Sequence, residues 1–542
     1  MSATGVTPAV AVPAARRRGR AARVAAAARA RARAVPRVLW ACMAIAIVNS
    51  IVWSLLVPPF QAPDEAVHSG YAQYVAETGK VPRRLETGPY WHPPADADAA
   101  FAGIPFSILG DPTWSDAKNR ALQRVLKSPL GSTNEGGAGY ASANPPLYYA
   151  YEAIAYRAAA SGTFLDRLEA MRIASALLAG LTVAFTFLFL RELFPRTRWV
   201  WTVGALAVAF QPLFAFMGGG VNNDNLIYLA GTALLAGLAR AFRRGLSPGV
   251  GVWIGAAVAA GVLGKGTMFA LVPGAAVGVL LAAWRTPGER RRRALFGILS
   301  AGVTAAVPIG LWLVANQTVY GRSASTTTSS FSTGSTFQVR ELLSYIWQFY
   351  LPKLGFMTDQ FPNHAAGFRS YPTYPLWQTY VQGFTGRFGW FEYGFPLWAN
   401  YIALGVYVSL LGLAGAAVWR FRRALRRRWP ELLTYVLLFG GLLMLVNLVG
   451  YQYRLGAPHD NFEQARYLLP MIGLYAAVVA LAVRGAGRRW GPAVGALVVV
   501  LAIGHNIFAQ TLTMDRYYNG QVQPLITDFV PPPDTGPKPA RH

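Results

Sequence analysis

The 542-residue sequence is poor in several groups on which soluble and secreted proteins commonly rely. It has one cysteine, Cys42, inside an apolar run. No intramolecular disulfide can form, so its long polar stretches must be held by packing. Its six histidines (His68, His92, His364, His459, His505 and His542) show no metal-ligand spacing. No glycine-rich phosphate loop or dinucleotide fingerprint occurs. There is no repeat of fixed period and no pair of matched halves of the kind many transporters show. Charged residues make up only 14% of the chain, and acids are scarce: 24 against 50 lysines and arginines, a net +26.

Apolar length is what the sequence has in abundance. Hydrophobic residues make up 54% of it, and a run of about 20 crosses a bilayer as a helix. Eleven such runs stand at about 38–57, 169–190, 199–217, 224–242, 248–264, 267–285, 294–316, 397–419, 430–450, 466–483 and 490–510. The expected fold is an all-α polytopic membrane protein. Residues 1–37 would form a disordered basic cytoplasmic tail, 38–510 the membrane domain, and 511–542 an extracytoplasmic tail. With the N-terminus inside, the inner tail and loops carry 29 arginines, no lysine and three acids (Glu192, Glu289, Glu431). The rest of the chain then sums to zero charge. This positive-inside bias accounts for the whole net charge, so nucleic acid is not needed as a partner. The tail would lie against anionic inner-leaflet lipids, and the first run reads as a retained anchor.

Two outer loops are long, about 58–168 and 317–396. Their Trp, Tyr and Phe content argues for folded lids, except at 323–336 (SASTTTSSFSTGST), which reads as a flexible strip. Within the first loop, 145–162 is apolar but contains Glu152 and Arg157, costly in lipid. It is expected to lie in the interface or re-enter, with its tyrosines at headgroup level.

The first run exits into PPFQAPDEAVHSGYAQYV. Its prolines stop the span, and Asp64 stands near the N-cap of a following helix. His68 falls on the same face. Asp64 and Glu65 thus form a paired carboxylate at the outer mouth of the first span. The bland alternative is a simple helix cap. Asp224 opens the fourth span, Lys265 sits between the fifth and sixth, and Arg466 opens the tenth; here capping, snorkelling and a structural ion pair are the alternatives.

This arrangement resembles the GT-C class of membrane glycosyltransferases. More closely, QAPDEAVH (61–68), NPPLYY (144–149), QPLFAFMGGGVNNDNL (211–226), GKGTMF (264–269), FGWFEYGFP (388–396) and QARYLLP (464–470) are similar to the bacterial domain-of-unknown-function family 2142 of membrane proteins. The resemblance covers roughly 50–475. It implies a GT-C-like fold and an inverting transfer of a hexosyl or pentosyl group from a polyprenyl-phosphate lipid to a glycan, lipid or protein acceptor outside the cell membrane, in envelope glycan assembly. Asp64 would be the base, with Glu65 assisting, or the two would hold Mg or Mn. Arg466 and Lys265 would meet the donor phosphate. His68, Asn144, Tyr148, Asp224, Trp390, Glu392, Gln464 and Tyr467 are expected to bind substrate, with His459 and Asp460 close by. A transporter or flippase and a non-catalytic assembly scaffold remain open alternatives. The former expects charges near the bilayer midplane, where these spans have almost none.

Overall fold

A computed structural model describes residues 36–82, 116–126, 139–320, 338–361, 375–389, 393–456 and 462–518. The tails, the 323–336 strip and much of the first outer loop lie outside the described residues. The chain divides into Met1–Ala41 and Cys42–His542. In the first unit the described residues only begin a helix, and all that follows concerns the second.

The fold is all-α, with apolar helices at the eleven runs. Nine helices are long and apolar enough to cross a membrane among the described residues. A bent pair and a 17-residue apolar helix, Pro248–Gly264, account for the other two runs. We number the helices that matter here α1 (Arg37–Leu56), α2 (Glu65–Thr78), α3 (Leu147–Ala158), α4 (Phe164–Leu193), α5 (Trp199–Ala209), α6 (Pro212–Gly218), α7 (Asp224–Arg244), α8 (Pro248–Gly264), α9 (Val272–Trp284), α10 (Arg291–Thr318), α11 (Val339–Tyr350), α12 (Leu397–Arg420), α13 (Arg422–Arg427), α14 (Trp429–Gly456), α15 (Ile472–Gly485) and α16 (Gly487–Tyr518). Strands among the described residues are limited to a two-residue antiparallel pair, Arg387–Phe388 with Tyr393–Gly394.

The third run is not the straight span expected. It breaks between α5 and α6 with a bend of 65°. Pro212 supplies no amide hydrogen and disfavours helix at the residue before it. Gln211 caps the restarted helix by accepting from the Phe214 amide at 2.6 Å. The carbonyl of Ala209, at the break, accepts instead from Asn49 Nδ2 at 2.9 Å. Asn49 and Trp53 of α1 also bond Asn506 of α16, so a small polar cluster ties the first helix, the last helix and the bend. Behind the bend, a Cβ on Gly219 would come within 2.6 Å of the Ser50 carbonyl. Only glycine lets this turn press onto α1.

The ambiguous stretch at 145–162 also differs from expectation. α3 has only 12 residues and packs on α2 and α4. Its Tyr148, Tyr149 and Tyr156 are buried in protein rather than set among headgroups. Glu152 is fully buried with them and accepts from Ser175 Oγ at 2.9 Å. Burial pushes its carboxyl up to about 8, so it sits there as a neutral acid.

The arginine-bearing helix ends meet at one end of the bundle. Glu192, at the end of α4, holds Arg240, Arg243 and Arg244 at the end of α7. Arg428 donates to the Leu193 carbonyl. α7 and α8 run antiparallel from this end, and Asp224 and Lys265 stand at the other.

Candidate functional site

The site begins in the turn that leaves α1. Phe60 and Asp64 both adopt the left-handed conformation, with φ of 65° and 61°. Asp tolerates that region, whereas a Phe there costs of order 1–3 kcal/mol and needs outside support. Phe60 has that support: its amide donates to Glu65 Oε2 at 2.8 Å, and its buried ring stacks on Phe164. Asp64 occupies the N-cap position of α2, yet its side chain makes no capping bond. The carboxylate is turned elsewhere.

The two adjacent acids part company at this turn. Glu65 is fully buried and pairs with Arg172 of α4 at 2.6 Å. Its Oε1 accepts from Arg172 Nε and the Val221 amide, and its Oε2 from Arg172 and the Phe60 amide. The remaining Arg172 donors go to the carbonyls of Ser54, Val57 and Pro58. The five guanidinium hydrogens and the carboxylate acceptor sites are thereby used. Glu65 is a brace for the end of α1, with no lone pair directed at a substrate.

Asp64 instead accepts from Arg466 at 2.6 Å. Its side chain is 19% exposed and that of Arg466 only 3%. Arg466 lies in the short 3-10 helix Ala465–Met471, where its Nε also donates to Gln464 Oε1 at 2.6 Å. Pro470 of the same segment sits so close to α7 that a Cβ on Gly231 would overlap its carbonyl.

Asp224 completes the group. Its Oδ1 takes Lys265 Nζ at 2.5 Å, and its Oδ2 lies 3.8 Å from Arg466 Nε. The asparagines of the VNNDN stretch fix this register. Asn222 Nδ2 reaches the Pro63 carbonyl beside Asp64, while its Oδ1 accepts from the Asp224 amide. Asn223 Nδ2 reaches the Gly264 carbonyl beside Lys265. Asn225 closes the turn onto Met217 and Gly220. Asp224 is therefore an acid paired to two cations rather than a helix cap. Tyr467 presents its ring to both cations, 5.1 Å from the Arg466 guanidinium and 5.2 Å from Lys265 Nζ.

The result is an alternating chain, Asp64–Arg466–Asp224–Lys265, drawn from four distant segments. Its ends are partly exposed, Asp64 at 19% and Lys265 at 17%, and its middle is sealed. A third acid, Glu463, lies just before Arg466 and bonds Tyr345 of α11. Burial pushes its carboxyl up to about 7.

Other expected residues are placed differently. His68 is buried beside the chain, its Nδ1 2.9 Å from the Tyr149 hydroxyl. Burial pulls its pKa down to about 4; Asp64 and Asp224 push it up, while Lys265 and Arg466 oppose them. Asn144 is half-buried and donates from Nδ2 to the Ala141 carbonyl. Tyr148 is sealed against Ser175 and reads as packing. Trp390, Glu392, His459 and Asp460 lie outside the described residues. Tyr393 is buried against Thr513.

A family model described as "Predicted membrane protein (DUF2142)" matches residues 47–475. The chain belongs to this family. No curated protein matches it. Among solved structures it is similar to the Archaeoglobus fulgidus oligosaccharyltransferase in its apo form, at 13% identity and a TM-score of 0.45 over 89% of this chain and 56% of that one. It is also similar to ArnT from Cupriavidus metallidurans bound to undecaprenyl phosphate, at 16% identity and a TM-score of 0.44 over 85% and 63%. This DUF2142 chain thus spans less than two thirds of either protein's length, and these partial likenesses do not define what it binds.

The DUF2142 residues do not fit a divalent ion at the Asp64–Glu65 pair. Glu65 has its acceptor sites filled, and the two carboxylates serve different arginines, so they do not converge on one ion. No three His, Cys, Asp or Glu side chains group as metal ligands among the described residues. Sequence reasoning missed Arg172, Asn222 and Asn223. The signal for Arg172 was present: an arginine within an apolar run demands a buried partner.

Proposed function

We propose that this protein is an inverting membrane glycosyltransferase that takes a sugar from a polyprenyl-phosphate lipid, with Asp64 as base and Arg466 and Lys265 as the phosphate-binding cations. The observation that carries the reading is the 2.6 Å pair between Asp64 and Arg466, with Lys265 two links behind it. A carboxylate and two cations at one end of a helical bundle, reachable at both ends of the chain, are what such a transfer requires. The positive-inside bias supports an outward-facing position for this end.

In the resting protein the base and the phosphate cation neutralise each other. An arriving donor phosphate competes with Asp64 for the Arg466 guanidinium, which grips phosphate oxygens in pairs. Asp64 is then released towards the acceptor. The acceptor hydroxyl gives its proton to Asp64 as its oxygen bonds the anomeric carbon. The bond from that carbon to the phosphate oxygen breaks, and the polyprenyl phosphate departs with the electron pair, met by Arg466 and Lys265. One displacement inverts the anomeric centre, and Asp64 later returns the proton to water. No step calls on a metal.

Native mass spectrometry of the purified protein beside Arg466→Gln tests this. Wild type should retain an added polyprenyl phosphate over an uncharged polyprenol, and the variant should lose that preference. Equal retention of the two lipids by wild type would overturn the reading.

A further inference from the structure

At the end of the bundle opposite Asp64, α9, α13 and α14 leave an open cavity of about 420 Å³ lined by Trp284, Arg285, Arg427 and Trp429. We infer that this cavity is a binding site for the phosphate headgroup of an anionic glycerophospholipid. It is independent of the sugar-transfer reading and lies far from its residues along the helices.

Four observations carry the inference. First, the cavity is basic and its charge is unspent. Neither Arg285 nor Arg427 has a carboxylate partner among the described residues. Two of the three acids at this end are already engaged, Glu192 by three arginines and Glu431 by Arg428 and the Tyr435 hydroxyl; the third, Glu289, is exposed and pairs with neither Arg285 nor Arg427. Second, the arginines are positioned. Arg285 donates to the Arg427 carbonyl at 2.5 Å, which anchors its side chain at the cavity and leaves its other hydrogens for a ligand.

Third, the other two walls are indoles, Trp284 at 68% and Trp429 at 50% exposure, with ring centroids 6.3 Å apart. Exposed indoles at the end of apolar helices sit at headgroup depth. Fourth, the exposed surface leading away from the cavity is apolar. Leu280 lies one turn back from Trp284 on α9, and Leu433 and Leu437 lie one and two turns on from Trp429 on α14. A soluble phosphate would use only the arginines, whereas a phospholipid uses the arginines, the indoles and this apolar track. With the arginine-rich face inside, the lipid belongs to the cytoplasmic leaflet, where anionic headgroups draw basic clusters.

The test is native mass spectrometry of the full-length protein titrated with phosphatidylglycerol, phosphatidylcholine or inorganic phosphate. Three proteins are compared: wild type, Arg285→Gln with Arg427→Gln, and Arg422→Gln with Arg423→Gln. The last pair removes the same charge from exposed arginines outside the cavity. Wild type should prefer phosphatidylglycerol to phosphatidylcholine. The cavity pair should weaken phosphatidylglycerol binding by more than about tenfold, through loss of charge-assisted hydrogen bonds to the phosphate, and the control pair by much less. If the cavity pair cannot be purified, Arg427→Gln alone leaves the backbone anchor of Arg285 intact and should cost about fivefold. Equal losses in the two pairs would reduce the effect to diffuse charge, and unchanged binding would remove the site. Displacement of the lipid by inorganic phosphate at equal concentration would make it a soluble-anion site; each of these results overturns the inference.

Discussion

Asp64 and Glu65 are neighbours in sequence, and each finds an arginine at 2.6 Å. Glu65 and Arg172 are both sealed from solvent and fill each other's hydrogen-bonding capacity together with backbone groups. Asp64 keeps an exposed edge, and Arg466 beside it faces a second acid and an aromatic ring. A salt bridge by itself therefore says little about role. What separates the two pairs here is that one is sealed on both sides while in the other one partner can be reached.

The sharpest way to break this contrast is to neutralise each acid's contribution separately. Asp64→Asn keeps the shape and removes the proposed base, so it should cut transfer by about 10²–10⁴-fold. Thermal unfolding should stay near wild type and polyprenyl-phosphate retention should hold or rise, since the competing carboxylate is gone, and turnover at the normal rate would end the assignment. Arg172→Ala should do the reverse. It leaves the Glu65 carboxylate buried without its cation and should destabilise the fold by about 3–5 kcal/mol, read by denaturant titration in detergent. Protein that remains folded should still hold the donor lipid. A stable Arg172→Ala protein without transfer activity would place Glu65 in the chemistry instead.

The smallest effect is expected at His68, which borders the open pair. Its ring is held neutral through burial, with a pKa near 4. His68→Gln should cost less than about tenfold in rate and leave the pH profile between about pH 5.5 and 8.5 unchanged. The sign of the stability effect is fixed too. The unfolded ring takes a proton more readily than the folded one, so the folded state weakens as pH falls from about 6.5 towards 4. The variant should lack that loss. Disappearance of a kinetic limb near pH 6.5 would show that His68 does titrate in turnover.

The helices were legible because apolar length is a strong local signal and the arginines mark one side of it. Asp224, Lys265 and Arg466 were legible as ionic residues at helix ends, where lipid makes charge costly. The separate fates of Asp64 and Glu65 were not. They depend on two left-handed residues in one turn and on an arginine 107 positions away from Glu65, and neither backbone sign nor long-range pairing is written in the local pattern. The bend at Pro212 was readable from Gln211-Pro212 but hidden by unbroken hydrophobicity. The tyrosines of α3 misled for the opposite reason: an amphipathic aromatic stretch reads alike whether its surroundings are headgroups or other helices.

The arginine-bearing end of the bundle has a consequence of its own. The helix ends and loops at 191–198, 240–248, 285–293, 420–431 and 484–489 carry 20 arginines and no lysine, and the six lysines of the chain all fall in other segments. A guanidinium stays protonated across every pH a cell meets, and it is not a target of lysine acetylation. That charge is therefore permanent. Neither acidification nor lysine acylation can erase it, and every side-chain amine the molecule offers to a reagent lies in another part of the sequence.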